Sequence, residues 1–283
     1  MEFGLHIADF TFDSGPAELG PALARHVRHA EDAGIQRITV MDHFWQLPGL
    51  GPVEHEMLEA YATMGFLAAH TRKSMLHVLV TGVLYRHPAL LAKQVSTLNV
   101  LSGGRFGLGI GAGWNEQECR GLGFPFAPVA QRFRELEETI QICLQMWSDS
   151  EEPYEGAFWQ LERTLNSPQN LTKPMLMIGG GGEKKTLKLV AQYADACNLS
   201  ALGGMPAHKL DVLKAHCDDV GRDYDDIEKT AMIGVSPAST VDTVTEQVRE
   251  LAGLGFTTTY VFSAGITEPA RVVDLIADVA KQV

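Results

Sequence analysis

The sequence is poor in cysteine and in positive charge. Four cysteines occur in 283 residues, Cys119, Cys143, Cys197 and Cys217, and no two form a CxxC pair. That spacing excludes zinc-ribbon and dithiol redox patterns and leaves free thiols of a reducing, cytoplasmic compartment as the expectation. Lys and Arg total 23 against 35 Asp and Glu, a net charge of −12. Such a field repels polyanions, which argues against nucleic acid or an anionic membrane as partner and leaves a small-molecule substrate. It also means that any phosphate-bearing cofactor must be held locally, by backbone amides and a few cations. No apolar run approaches the roughly 18 residues that span a bilayer, and MEFGLHIADF lacks the basic segment and cleavage site of a secretory leader. HExxH and GxxxxGK[ST] are both missing. His26 and His29 sit three apart on a helical pattern and read as a solvated face, not a metal pair.

What is present is an alternation. Apolar β-rich runs at Phe3–Ala8, Arg37–Asp42, Leu76–Val83, Phe106–Gly111, Met175–Ile178, Ala196–Ser200, Thr230–Val235 and Thr258–Phe262 are separated by stretches of helical spacing. Leu19, Leu23, Val27 and Ala30 make one such stripe; Phe133, Leu136, Ile140 and Leu144 another. Strands alternating with helices imply parallel pairing, and eight repeats in this length favour an α/β (β/α)8 TIM barrel as one domain over residues 1–283. The segment from about 148 to 173 is too long and polar for a plain connection. It reads as an insertion before the fifth strand, able to form a small hairpin beside the active site.

In such barrels chemistry gathers at the C-terminal strand ends. The second strand ends in Asp42-His43, an imidazole beside a carboxylate; this reads as a general acid/base or as a loop cap. The fourth strand carries alternating glycines through Gly107, Gly109, Gly111, Ala112 and Gly113. Gly107, Gly109 and Ala112 formally match GxGxxA, but they lie within a strand and no acidic ribose partner follows, so a dinucleotide fingerprint is rejected. The glycines either let a flat ring approach the backbone or serve packing inside the barrel. The fifth strand runs into Gly179, Gly180, Gly181 and Gly182 and then a helix, which exposes successive N–H groups at a helix start; that is a phosphate cradle, with Lys184 or Lys185 adding charge. Arg86 and His87, after the third strand, are possible ligand contacts.

In this order the pieces resemble the luciferase-like monooxygenase family. The resemblance is carried by TGVLYRHPALLAKQVSTLNVLSGGRFGLGIGAGWNEQECRGLGFPF, by PMLMIGGGGEKKTLKLVAQYADACN, and by the MDH of the second strand. It looks closest to the branch using the deazaflavin coenzyme F420, with FMN as the alternative cofactor. The resemblance implies Asp42 and His43 beside the ring as the catalytic pair, with His43 as the acid/base and Asp42 orienting the site or bonding to the cofactor. It implies cofactor contacts from Asp42, Val78, Leu79, Thr81, Gly111, Ala112, Gly113 and Gly179 to Gly182. It also implies a non-prolyl cis peptide, placed by alignment at Val78–Leu79, and a homodimer. Where the family's sugar-phosphate dehydrogenases have a catalytic glutamate, this chain has Trp114, followed by Asn115 and Glu116. Sugar-phosphate oxidation is therefore not expected, and a flatter, more apolar pocket is. An FMN-dependent monooxygenase and a non-catalytic flavin-binding relative are the rival readings.

Overall fold

The computed structural model describes residues 1–266 and 268–283. Nine parallel strands form one sheet: β1 (Glu2–Ile7), β2 (Arg37–Val40), β3 (Met75–Val78), β4 (Thr81–Gly82), β5 (Leu108–Gly111), β8 (Leu176–Gly179), β9 (Ala196–Ser200), β10 (Glu228–Val235) and β11 (Thr258–Ser263). The order β3-β2-β1-β11-β10-β9-β8-β5-β4 returns on itself, because β3 and β4 are two halves of one stave. A parallel bridge between Leu76 and Phe106 joins β3 to the segment before β5 and closes the ring. The eight-stave TIM barrel read from the alternation is therefore the fold.

The third stave differs from its reading as one continuous strand. The cis peptide bond joins Leu79 to Val80, not Val78 to Leu79. The reason lies in the ladder: Val78 still pairs with Val40, and the Leu79 amide donates to the Val40 carbonyl at 2.9 Å. The chain leaves β2 only after Leu79, then rejoins the sheet against β5 through Thr81 and Gly82.

The helices bury the stripes that their sequences carry. Helix α1 (Leu19–Asp32) buries Leu19, Leu23, Val27 and Ala30, but also His26, at 8% exposure. His26 is thus no part of a solvated face; its partner in the pattern, His29, pairs outside with Asp274 at 3.0 Å. The remaining helices are α2 (Ala60–His70), α3 (Pro88–Leu101), α4 (Glu116–Leu122), α5 (Val129–Met146), α6 (Thr186–Tyr193), α7 (Ala207–Val220), α8 (Val241–Gly253) and α9 (Pro269–Ala280). Pro88 opens α3 with His87 as its cap, the imidazole accepting from the Ala89 amide. All four cysteines are free and buried. Among the described residues no helix is long and apolar enough to cross a membrane, and no group of acidic, Cys and His side chains is placed to hold a metal.

The insertion does form a hairpin, β6 (Tyr154–Glu155) against β7 (Gln160–Leu161). Glu138 of α5 accepts the amides of Ala157, Phe158 and Trp159, Trp159 packs on His87, and Lys93 of α3 holds the Ser167 carbonyl. These anchors hold the hairpin against α3 and α5.

Candidate active site

A cavity of about 610 Å³ opens among the strand ends, and every stave contributes to its wall. Its lining includes His6 and Ala8, Met41 to His43, Leu79 and Val80, Gly111 to Trp114, Gly179 and Gly180, Asn198, Met232 and Phe262. Most of the expected site residues thus meet in one space. Val78 and Thr81 do not: Val78 is packed in the core, and the Thr81 hydroxyl is bonded to the Tyr61 hydroxyl at 2.8 Å. Gly181 and Gly182 lie just past the lining residue Gly180.

His43 is held from behind by a residue that no motif pointed to. Glu118 lies on α4, whose first turn is capped by the Asn115 side chain accepting from the Glu118 amide. The cap turns that helix so that Glu118 is wholly buried while Glu116 stays outside, paired with Arg120. One Glu118 oxygen accepts the Phe44 and Trp45 amides at 2.7 and 2.9 Å. The other accepts the Tyr85 hydroxyl at 2.8 Å and lies 2.9 Å from His43 Nδ1. Burial alone would raise this carboxyl; the bonds from His43, the Trp45 amide and Tyr85 outweigh it and hold the pKa below the usual range. An ionised Glu118 can only accept, so His43 Nδ1 carries the proton and Nε2 is free for the cavity side. The Trp114 ring stands edge-on to His43 at 5.6 Å and is 61% exposed, a cover at the mouth. Glycine at 121 admits the Trp45 ring, which a Cβ there would meet at 2.1 Å. The signal available in the sequence was the spacing from Asn115 to Glu118, a cap and its third residue.

Asp42 lines the same wall and is also half of an ion pair. Its carboxylate is gripped by Arg86 through bonds of 2.6 and 2.9 Å and accepts the Gly82 amide at 3.0 Å. Arg86 also reaches Glu59 and lies over the Tyr61 ring, 4.5 Å from its centre. The pair ties β2 to the turn after β4, and so sets the strand end from which His43 projects. Arg86 and His87, possible ligand contacts by position, serve as counter-ion and helix cap.

The glycines divide between the two readings. A Cβ on Gly107 would meet the Met175 carbonyl at 2.8 Å, and one on Gly109 the Val78 carbonyl at 2.2 Å; both are packing glycines. Gly111 and Gly179 face the cavity from either side of Val80, whose methyls a Cβ would meet at 3.0 and 2.8 Å. They leave bare backbone at that wall. Gly180 has φ +112, a conformation that favours glycine. Beyond it the amides of Gly181 and Gly182 find no protein acceptor among the described residues, and α6 begins at Thr186, which also lines the cavity. Lys184 and Lys185 are exposed and off the cavity; Lys209 of α7 approaches instead, held by Glu183 at 2.5 Å.

His6 completes the wall and was not foreseen. It is 5% exposed, its Nδ1 lies 2.9 Å from the Thr39 hydroxyl, and burial together with the neighbouring His43 lowers its pKa to about 3.

The chain is 29% identical over 159 residues to the pyrimidine monooxygenase RutA of Allorhizobium ampelinum, a stretch covering 55% of this chain and 43% of that one. It is 29% identical over 237 residues to the F420-dependent glucose-6-phosphate dehydrogenase of Microbacterium testaceum, covering 81% and 68%. The chain thus spans less than half of the first relative and about two thirds of the second. An F420-dependent secondary alcohol dehydrogenase, solved with an F420-acetone adduct, superposes with a TM-score of 0.81 over 98% of this chain and 97% of that one; at 17% identity the match speaks for the fold alone. The family model for luciferase-like monooxygenases matches residues 1–273, and the chain belongs to that family.

Proposed function

We propose that the chain is an F420-dependent oxidoreductase that exchanges a hydride between the deazaflavin and a small organic substrate. The observation that carries the reading is the Glu118–His43 pair at a cavity whose wall also includes bare glycine backbone. The dehydrogenase relative covering 81% of the chain supports F420 as the cofactor.

The residues present fit such a group. Gly111, Gly179 and Gly180 offer a surface without side chains for a flat ring, and the unpaired Gly181 and Gly182 amides with the start of α6 suit an anionic tail. The deazaflavin, when bound, supplies two-electron hydride chemistry. His43 gives or takes the accompanying proton at Nε2, and Glu118 stabilises the imidazolium and keeps the ring oriented. Trp114 and the apolar residues Met41, Leu47 and Phe262 keep water from the reacting groups. The Asp42–Arg86 pair positions the strand end from which His43 projects.

A monooxygenase reading with FMN is favoured by one finding, the pyrimidine monooxygenase relatives. Fluorescence titration of the purified protein with F420 and, separately, with FMN decides between the two. Micromolar or tighter F420 binding with weak FMN binding is expected. Preference for FMN transfers the protein to the monooxygenase reading, and binding of neither overturns both.

A further inference from the structure

Away from its glycine end, the cavity is one-sided in its hydrogen bonding. Its apolar part is built from Ala8, Met41, Leu50, Met232 and Phe262, and among the described residues neither Lys nor Arg lines it. Of the polar side chains at its wall, Asp42 is committed to Arg86 and Tyr85 to Glu118, Thr186 stands at the glycine end and Trp114 at the mouth; His6, Asn198 and His43 interrupt the apolar part. The bonds behind each one decide what it presents.

The Thr39 hydroxyl lies 2.9 Å from His6 Nδ1 and 3.4 Å from the Leu5 carbonyl. Both contacts form together only when the hydroxyl donates to the carbonyl and accepts from the ring. Nδ1 then carries the proton, and Nε2 offers a lone pair to the cavity. Burial keeps this ring neutral, with a pKa of about 3. Asn198 has the same polarity. Thr230 donates its hydroxyl to the Cys197 carbonyl at 2.7 Å and so accepts from Asn198 Nδ2 at 2.9 Å, which leaves the Asn198 Oδ1 as acceptor. His43, with Glu118 behind its Nδ1, also presents Nε2.

We propose that the cavity selects an uncharged, largely apolar substrate bearing an O–H or N–H group, and that His6 is the specificity-determining residue that accepts that hydrogen. The proposal rests on the reading of this cavity as the substrate-binding redox site. A carboxylate or phosphate on the substrate would meet the lone pairs of His6 and Asn198 and no Lys or Arg, so its charge would be buried against acceptors. An apolar molecule of equal shape would leave the acceptors dry and unpaired, and sites built to bond a donor discriminate strongly against analogues that lack it.

The test uses protein labelled with 15N-histidine, loaded with whichever cofactor it binds, and three probes of one shape: 1-naphthol, naphthalene and 1-naphthoate. His6 Nε2 is expected to resonate as an unprotonated imidazole nitrogen at pH 7 and to shift on adding 1-naphthol. Binding of 1-naphthol is expected to be at least about tenfold tighter than that of the other two. His6→Phe should bring the preference over naphthalene to within about twofold, while His6→Gln, which retains an acceptor oxygen, should restore most of it. A protonated Nε2, equal binding of naphthalene or 1-naphthoate, a preference unchanged in His6→Phe, or binding of none of the three overturns the proposal. Cofactor titration and thermal unfolding accompany each variant. Where the wild type takes neither F420 nor FMN the redox reading fails, and the same comparison on the protein alone still decides the role of His6.

Discussion

Glu118 and His43 are 75 residues apart in sequence and 2.9 Å apart in space, and every hydrogen bond that Glu118 accepts comes from the segments flanking that contact or from its own helix's neighbour, Tyr85. The carboxylate is saturated, buried and ionised, and it leaves His43 one tautomer. In the proposed reaction the Nε2 of a histidine so held gives or takes the proton.

Replacing Glu118 should therefore be felt in turnover before cofactor binding. Glu118→Gln is expected to lower kcat about 10- to 100-fold, part of the range spanned by general acid–base catalysis, with cofactor affinity within a few-fold of wild type. His43→Ala should cost about 10²- to 10⁴-fold. Steady-state kinetics beside cofactor titration checks both. Undiminished activity in His43→Ala with intact cofactor binding would remove His43 from the mechanism.

The Asp42–Arg86 pair predicts a stability effect instead. Arg86→Met leaves a carboxylate with 2% exposure facing no cation, a change that costs about 3–5 kcal/mol. Asp42→Asn combined with Arg86→Met should be less destabilising than the sum of the single changes, because no charge is then stranded. Urea unfolding of the three variants measures the coupling, and strict additivity would contradict it.

The glycines of β5 and β8 should separate into two kinds. Gly109→Ala drives a Cβ into the Val78 carbonyl and is expected to destabilise by about 1–3 kcal/mol or more. Gly179→Ala meets only the Val80 methyls, so a smaller stability loss and a larger loss of cofactor affinity are expected. Equal effects of the two on both readouts would argue against the division.

Acid should loosen the barrel through its buried histidines. Burial lowers His6 and His77 to about 3 and His26 to about 4, against an ordinary value of 6.5. The unfolded chain binds these protons first, so stability is full above about pH 6.5 and falls as pH drops toward the folded-state values. His77 is wholly buried with neither ring nitrogen bonded to protein. His77→Leu is expected to flatten the acid limb of the urea midpoint between pH 7 and pH 4, and an unchanged limb would exclude His77 as a contributor.

The alternation of β-rich runs and apolar stripes determined the barrel from sequence alone, since strand and helix periods are local properties that need no knowledge of neighbours. The same holds for the place of the Asp42-His43 strand end and of the start of the glycine run at the barrel mouth, which follows from their position at the ends of strands. What a packing glycine is and what a cavity-facing glycine is looked identical in sequence; only the partner strand, Val78 opposite Gly109 or Val80 between Gly111 and Gly179, separates them. The break at Leu79–Val80 fell one residue later than the resemblance implied, because the reach of the β2 ladder sets it. The roles of Glu118, Arg86 and His6 were decided by tertiary structure for the same reason. Each acts through a hydrogen bond across 33 to 75 positions of chain, and no periodicity records which distant group closes that bond.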